Sequence, residues 1–243
     1  MATFTFIGAP ADSVLRGGGA EHAPARLRAL GLADALGEDA GDLPVRIRGD
    51  ARDPSTGIIA ADDVLGTTRT VRDAVNECLS RGARPFVSGG CCAILPGAAA
   101  GARDILGRLG LVYVDGHQDM YDGGTSSSGE AADMPLGVAI GVGPKDWVEA
   151  AGGAAVSAVD TFLLGSRDLA EVQESGARAA DSYGVTFSPL ADVRDGGPEA
   201  LGSAVTGSMR SRLQRYWLHL DVDVLDSELF PATDYLQPDG LSF

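Results

Sequence analysis

Leu111-Val112-Tyr113-Val114-Asp115-Gly116-His117-Gln118-Asp119 and Tyr216-Trp217-Leu218-His219-Leu220-Asp221-Val222-Asp223 follow one plan, an apolar, β-rich run that ends in carboxylates. A third segment, Val87-Ser88-Gly89-Gly90-Cys91-Cys92, ends in small polar residues instead. Short apolar runs bounded by turn residues read as strands of a parallel sheet, and open parallel sheets bind ligands at the C-terminal ends of their strands. Outward from these segments, Thr3 to Ile7, Pro85 to Ser88 and Thr161 to Leu164 also read as strands. Asp63 to Ser80 carries Val64, Val71, Val75 and Leu79 at helical spacing, and Ala170 to Tyr183 reads as a helix. After the glycine run Gly17-Gly18-Gly19, Pro24 sits where a first helical turn tolerates it, ahead of Leu27, Leu30 and Leu32. Strands that alternate with helices predict an α/β fold, with a parallel central sheet and helices on both faces. No linker or repeat divides the chain, so one domain is expected over 1–243.

Extended backbone alternates its faces with a period of two. Asp115, His117 and Asp119 are therefore expected on one side of their strand, and Asp221 and Asp223 on one side of another. Carboxylates gathered within a few Å cannot all stay ionised without a cation. Oxygen-rich sets with imidazole suit Mn2+, Mg2+ or Zn2+. Two such ions balance four carboxylates and hold a bridging hydroxide ready to attack an electrophilic carbon. Acids after a strand also serve as helix caps and turn formers, but a second Asp-x-Asp on a separate strand favours the metal reading. His219, two residues before Asp221 and on the same face, is read as a partner behind a carboxylate or as a packed strand residue.

The rest of the composition narrows the class. Of 243 residues, 44% are apolar and 22% charged, which supplies material for a core and excludes disorder as the main state. Against 34 acidic residues stand 19 basic ones, a net −15 that repels nucleic-acid phosphates and anionic membranes. No apolar run approaches the roughly 20 residues that span a bilayer, and no signal peptide is evident. Cys78, Cys91 and Cys92 make no disulfide framework, which points to a reducing cytoplasm. Cys78, beside Leu79 on a helical stretch, reads as core. His22 reads as loop geometry, and Glu38, Asp39, Asp42, Asp62 and Asp63 as a solvated face.

At these residues the sequence resembles the arginase/agmatinase/formiminoglutamase family of ureohydrolases. The opening Ile7-Gly8-Ala9-Pro10, with Gly19-Ala20-Glu21-His22-Ala23-Pro24 and Leu27-Arg28, is similar to the family's N-terminal segment. Gly89-Gly90-Cys91-Cys92 falls where the family has Gly-Gly-Asp-His, and Asp115-Gly116-His117-Gln118-Asp119 where it has Asp-Ala-His-x-Asp. Asp221-Val222-Asp223-Val224-Leu225-Asp226, continuing to Pro231-Ala232-Thr233 and Gly240-Leu241, matches its third block. The resemblance implies a three-layer arginase-like α/β domain, homo-oligomers and a dinuclear centre, with Mn2+ the ion expected and Zn2+ or Fe2+ the alternatives. By matching positions, Asp115, His117, Asp221 and Asp223 form one metal site. Asp119 and Cys92 complete the other, with Asp115 and Asp221 bridging and Asp115, Asp119 and Asp221 catalytic. The implied reaction is attack of metal-bound hydroxide on a guanidinium carbon, or a related C–N hydrolysis, of a small molecule.

The departures are specific. Cys92 stands where the family has a ligating histidine and Cys91 where it has the preceding aspartate. A thiolate there favours Zn2+ or Fe2+, whereas a neutral buried thiol leaves one site empty. A subgroup that hydrolyses N-hydroxyarginine carries cysteine at the same position. Ala132 replaces the family's proton-shuttling histidine, and Tyr121 the asparagine that grips the substrate carboxylate, while Ser128 is retained. Arg167-Asp168 matches a pair that seats the substrate amino group, so Ser128, Asp168 and Tyr121 are the implied substrate contacts; L-arginine itself fits poorly. The leading expectation is a metal-dependent hydrolase of guanidino or N-hydroxyguanidino compounds. A catalytically impaired relative with a binding or assembly role is the first alternative, and a mononuclear zinc deacetylase-like hydrolase the second. The run from Leu225 to Phe243 supplies no helix to cover the last strand, so the chain is expected to be incomplete at its C-terminus and poorly soluble.

Overall fold

The computed structural model describes residues 4–14 and 19–242, so Thr3, Gly17 and Gly18 lie outside the described residues. The strands are β1 (Phe4–Ala9), β2 (Gly37–Asp42), β3 (Arg84–Gly89), β4 (Gly110–Val114), β5 (Thr161–Leu164), β6 (Thr186–Ser188) and β7 (Tyr216–Leu220). They form two parallel sheets, ordered β2-β1-β3 and β6-β5-β4-β7. The helices are α1 (Ala23–Ala29), α2 (Leu32–Leu36), α3 (Ala61–Ser80), α4 (Leu95–Leu106), α5 (Pro135–Ala139), α6 (Lys145–Ala150), α7 (Leu169–Ser175), α8 (Leu190–Gly196) and α9 (Pro198–Arg212). Among the described residues no helix is long and apolar enough to cross a membrane.

Side chains of the second sheet alternate between two cores. Leu111, Tyr113 and Leu163 join Val71 and Val75 of α3 and the small residues of α4, while Val112, Phe162 and Leu164 pack with Val205 and Met209 of α9. Both faces are therefore covered, as parallel strands require. β7 is the exception. Trp217 packs against the first core, but Leu218 and Leu220 on the other face are 59% and 61% exposed.

Several expectations shift. The acids Glu38, Asp39 and Asp42 belong to β2, an exposed edge strand without apolar periodicity; Arg28 holds Asp39 at 2.8 Å and Asp42 at 2.6 Å. The helix expected over Ala170 to Tyr183 stops at Ser175, because Gly176 turns left-handed at φ 78° and a separate short 3-10 turn covers Ala180–Tyr183. The last strand ends at Leu220 rather than Val222, where the Asp221 carboxylate accepts the Asp223 N–H and starts a 3-10 turn.

Two glycines set the helix contact at the centre. α4 buries every residue from Leu95 to Ala102, and α3 buries Val64, Thr67, Thr68, Val71, Val75 and Cys78, of which Val71 and Val75 join the α4 alanines in one core. A Cβ at Gly97 would meet the Thr68 carbonyl oxygen at 2.4 Å, and one at Gly101 the Arg72 carbonyl oxygen at 2.4 Å. Because α4 continues directly from the Cys92–Ile94 turn, this close approach also fixes where Cys92 sits. Gly97→Ala should therefore cost about 1–3 kcal/mol, the usual penalty for overpacking a tight core, read as a lower denaturant midpoint. An unchanged midpoint would show that the two helices separate without loss.

Candidate metal centre

The carboxylates stand where the ladders end. Beyond β4, Asp115 N–H still bonds Leu164 O at 3.1 Å, and beyond β7, Asp221 N–H bonds Val114 O at 2.8 Å. Both residues are thus locked at the C-terminal edge of the second sheet. Cys92 follows β3 of the first sheet, through Gly90, where a Cβ would meet the Ala11 carbonyl oxygen at 2.6 Å. The centre is built across the ends of strands from both sheets.

Each carboxylate has one oxygen tied to backbone and the other turned inward. The tied oxygens accept from His117 N–H into Asp115 Oδ1 (2.7 Å), Asp223 N–H into Asp221 Oδ1 (2.8 Å), and Gly116 N–H into Asp223 Oδ1 (2.9 Å). Inward, Asp115 Oδ2 lies 3.6 Å and Asp221 Oδ2 2.6 Å from Cys92 Sγ, and Asp223 Oδ2 lies 2.8 Å from His117 Nδ1. Gly116 has no room for a side chain, since a Cβ would meet Arg167 Nη1 at 2.5 Å. Two donor sets result, Cys92/Asp115/His219/Asp221 and Asp115/His117/Asp223, each with its donor atoms within 4.8 Å of one another and with Asp115 in common.

Protons show how strongly the cluster wants positive charge. Burial, then the charges of Asp223 and Asp221, push the Asp115 carboxyl well above its ordinary range. Burial and Asp223 raise Asp221 to about 6. Burial opposes protonation of His117, but hydrogen bonds and charge from Asp115 and Asp223 outweigh it and carry the imidazole up to about 12. Burial would raise Asp223 too, yet its bond to His117 outweighs this and holds it below the usual range. Burial and the neighbouring acids keep the Cys92 thiol well above its normal value, and burial lowers His219 to about 4, leaving a neutral ring. Three buried or half-buried carboxylates, two imidazoles and a thiol at this spacing fit divalent cations, which would take the place of the protons.

The expected residues do not all meet. Cys92, Asp115 and Asp221 converge in one set, and Asp115, His117 and Asp223 in the other. Asp119 belongs to neither. The chain bends at Gly116 and His117 and reaches Asp119 in a left-handed conformation at φ 51°, where the carboxylate accepts a hydrogen bond from Tyr113 Oη. Ser128 and Tyr121 line a cavity of about 600 Å³ above the centre, together with Asp119 and Ala132. Asp168 lies behind it, accepting the Gln118 N–H at 2.9 Å. His219 joins the Cys92 set, with Nε2 3.3 Å from the sulfur. The period of two placed it on the face of Asp221; its partner Cys92 is 127 residues away, beyond any local pattern. Tyr235 also reaches the centre: its hydroxyl donates to Glu130 and its ring edges onto His117 at 5.8 Å.

The sequence model of the arginase family matches residues 2–243. The arginase of Bacillus caldovelox is 26% identical over 257 residues, spanning 100% of this chain and 83% of its own. That of Bacillus subtilis (strain 168) is 27% identical over 256 residues, spanning 99% and 82%. Among solved structures, native arginase from Bacillus caldovelox at pH 5.6 shares the fold with a TM-score of 0.85 and 24% identity, covering 99% of this chain and 83% of that one.

Bound ions and protons compete for the same atoms. Asp221, raised from 3.8 to about 6, stabilises the metal-free fold fully below its unfolded value and loses that contribution as pH rises through about 6. The rise in Tm conferred by Mn2+ should therefore shrink as pH falls from about 8 to about 5, measured by thermal denaturation with and without the ion. An increment that grows on acidification would contradict this electrostatic picture.

Proposed function

The chain belongs to the arginase family, and on that premise we propose that it is a metal-dependent hydrolase that opens a C–N bond of a guanidino or N-hydroxyguanidino small molecule. One observation carries the substrate class. The cavity over the centre is walled by Asp133, Glu171, Glu174 and Asp234, and among its described lining residues none is lysine or arginine. Such walls favour a planar cation and disfavour a free carboxylate, so guanidino compounds with an amine or neutral tail fit better than L-arginine. Divalent ions, when bound, supply Lewis acidity and a water acidified to nucleophilic strength.

The remaining work falls to the chain's own residues. Asp115 and Asp221, each with one oxygen fixed by a backbone N–H, hold the charge in place, and His117 and Asp223 close the second set. Mn2+ suits the oxygen-and-imidazole set of Asp115, His117 and Asp223. Asp119 faces the cavity and is bridged to Tyr113, which suits it to carry a proton to the departing nitrogen where Ala132 offers none. Ser128 and Tyr121 meet the substrate tail, and Asp168 steadies the loop through Gln118. The three free thiols suit the cytoplasm, and a homo-oligomer is the assembly proposed.

The test is a panel of guanidino and N-hydroxyguanidino compounds incubated with the Mn2+- or Zn2+-loaded chain, assayed for urea, hydroxyurea and ammonia. Amine-tailed or neutral compounds should be turned over in preference to L-arginine. Asp115→Asn should lower kcat/KM by more than about 100-fold, beyond the roughly 10–100-fold typical of losing a residue that merely supports a ligand. A metal-loaded chain that releases none of the three products would overturn the hydrolase reading and favour a binding role.

A further inference from the structure

We propose that Asp133 decides which substrate tail the cavity accepts, selecting an ammonium group over a carboxylate. It does so by taking the hydroxyl hydrogens of Ser126 and Ser128 and presenting its own charge in their place. This selection rests on the guanidino reading above and assigns the tail to one residue.

On the serine loop every hydroxyl hydrogen of this pair is spent. A hydroxyl carries one hydrogen and accepts through its oxygen. Ser126 Oγ donates to Asp133 Oδ2 at 2.7 Å, and Ser128 Oγ donates to the same oxygen. In return, Ser126 Oγ accepts the Gly129 N–H at 2.9 Å, and Ser128 Oγ the Glu130 N–H at 3.0 Å. The two hydroxyl oxygens lie 3.2 Å apart, so even a serine-to-serine bond keeps its hydrogen inside the loop. Other hydroxyls that line the cavity are committed too. Thr125 donates to Asp122 at 3.0 Å, Ser175 to the Val172 carbonyl at 2.8 Å and Thr233 to the Tyr235 carbonyl at 3.2 Å. Among the described serine and threonine residues of the lining, that leaves Ser127, which is exposed to water.

The backbone is held in the conformation that makes this arrangement. From the outer side, Arg52 donates to the carbonyls of Gly123 at 3.1 Å, Ser126 at 2.7 Å and Ser127 at 3.3 Å. Gly123 is pressed onto Thr56, where a Cβ would meet the carbonyl oxygen at 2.0 Å. Asp133 is anchored as well, its carbonyl accepting the Tyr121 N–H at 3.1 Å. A carboxylate tail would have to strip both hydrogens from Asp133 and then face its charge at close range. An ammonium tail brings three donors of its own and needs only an acceptor. Asp133, half-buried in the cavity wall, is that acceptor.

Two ligands of matched length and opposite tail charge test the assignment. The full chain, incubated with Mn2+, is titrated with 4-aminobutylguanidine and with 4-guanidinobutanoate; calorimetry reads binding, and turnover is followed in parallel. Wild type should bind the amine at least about 100-fold more tightly, the scale of a like-charge juxtaposition. Asp133→Asn, which keeps an acceptor for both serines but removes the charge, should narrow the ratio to below about 10-fold. Asp133→Ala, which also frees the hydroxyl hydrogens, should tighten the carboxylate itself by at least about threefold. A ratio between two ligands in one variant cancels general damage to the fold, so an Asp133 that only supported the loop would leave it unchanged. The wild-type ratio needs no variant at all. Equal binding, a preference for the carboxylate, binding of neither compound, or a ratio kept in both variants would overturn the assignment. Turnover of neither compound with the binding ratio intact would overturn the hydrolase reading and leave Asp133 as the partner of the tail.

Discussion

Three inward-turned carboxylates, Asp115, Asp221 and Asp223, share one small volume, and their mutual repulsion is the constraint around which the second sheet is organised. Burying such charges without compensation is costly. The chain compensates in two ways. His117 lies between Asp115 and Asp223, with Arg167 donating to the Asp223 carbonyl at 2.9 Å from below. Backbone N–H groups of His117, Asp223 and Gly116 then hold one oxygen of each acid. Those N–H groups exist in the right places only because β4 and β7 pair in register from Gly110↔Tyr216 to Val114↔Leu220, so the ladder is part of the site.

Most of the strand framework was legible in the sequence because its central strands are apolar runs with abrupt polar ends. β5 was read at its true limits, and β3, β4 and β7 to within two residues. β2 was missed because an exposed edge strand needs no apolar alternation; Gly-Glu-Asp-Ala-Gly-Asp pairs through its backbone and is held by Arg28. At the site, the period of two failed at one position for a physical reason. It assumes extended backbone, and the chain bends at Gly116 and His117. Asp119 therefore arrives on the Tyr113 hydroxyl and faces the cavity beside the cluster. His219 was placed on the correct face, but its function depends on Cys92, which a different sheet delivers.

The cavity and the centre share one electrostatic sign. Asp133, Glu171, Glu174 and Asp234 wall the space above carboxylates that are themselves short of positive charge. On the proposed reading, a guanidinium entering this field would be attracted before it met the reacting atoms, whereas an α-carboxylate would be repelled by the same walls. The residue changes at Tyr121 and Ala132 therefore belong together. With Ser128 alone retained of the expected carboxylate contacts, selectivity would rest on charge and on cavity shape.

The two donor sets share Asp115 but differ in hardness, and this asymmetry follows from where the fold draws each ligand. His117 and Asp223 come from the turns that continue β4 and β7, so the second set is made of oxygen and imidazole within one sheet. Cys92 comes from β3 of the other sheet, at the head of the helix that Gly97 and Gly101 press against α3. Its sulfur can reach the carboxylates only at that junction, and there the imidazole stacked on Tyr113 meets it. A histidine in place of Cys92 would add a neutral nitrogen donor to the same space. A thiolate adds charge as well as softness, which raises affinity for a thiophilic ion and reduces how far that ion acidifies water. On the proposed hydrolase reading, Asp115, His117 and Asp223 would hold an ion that supplies Lewis acidity. On that reading the Cys92 set would anchor the shared Asp115, and the oxygen-and-imidazole set would serve the chemistry.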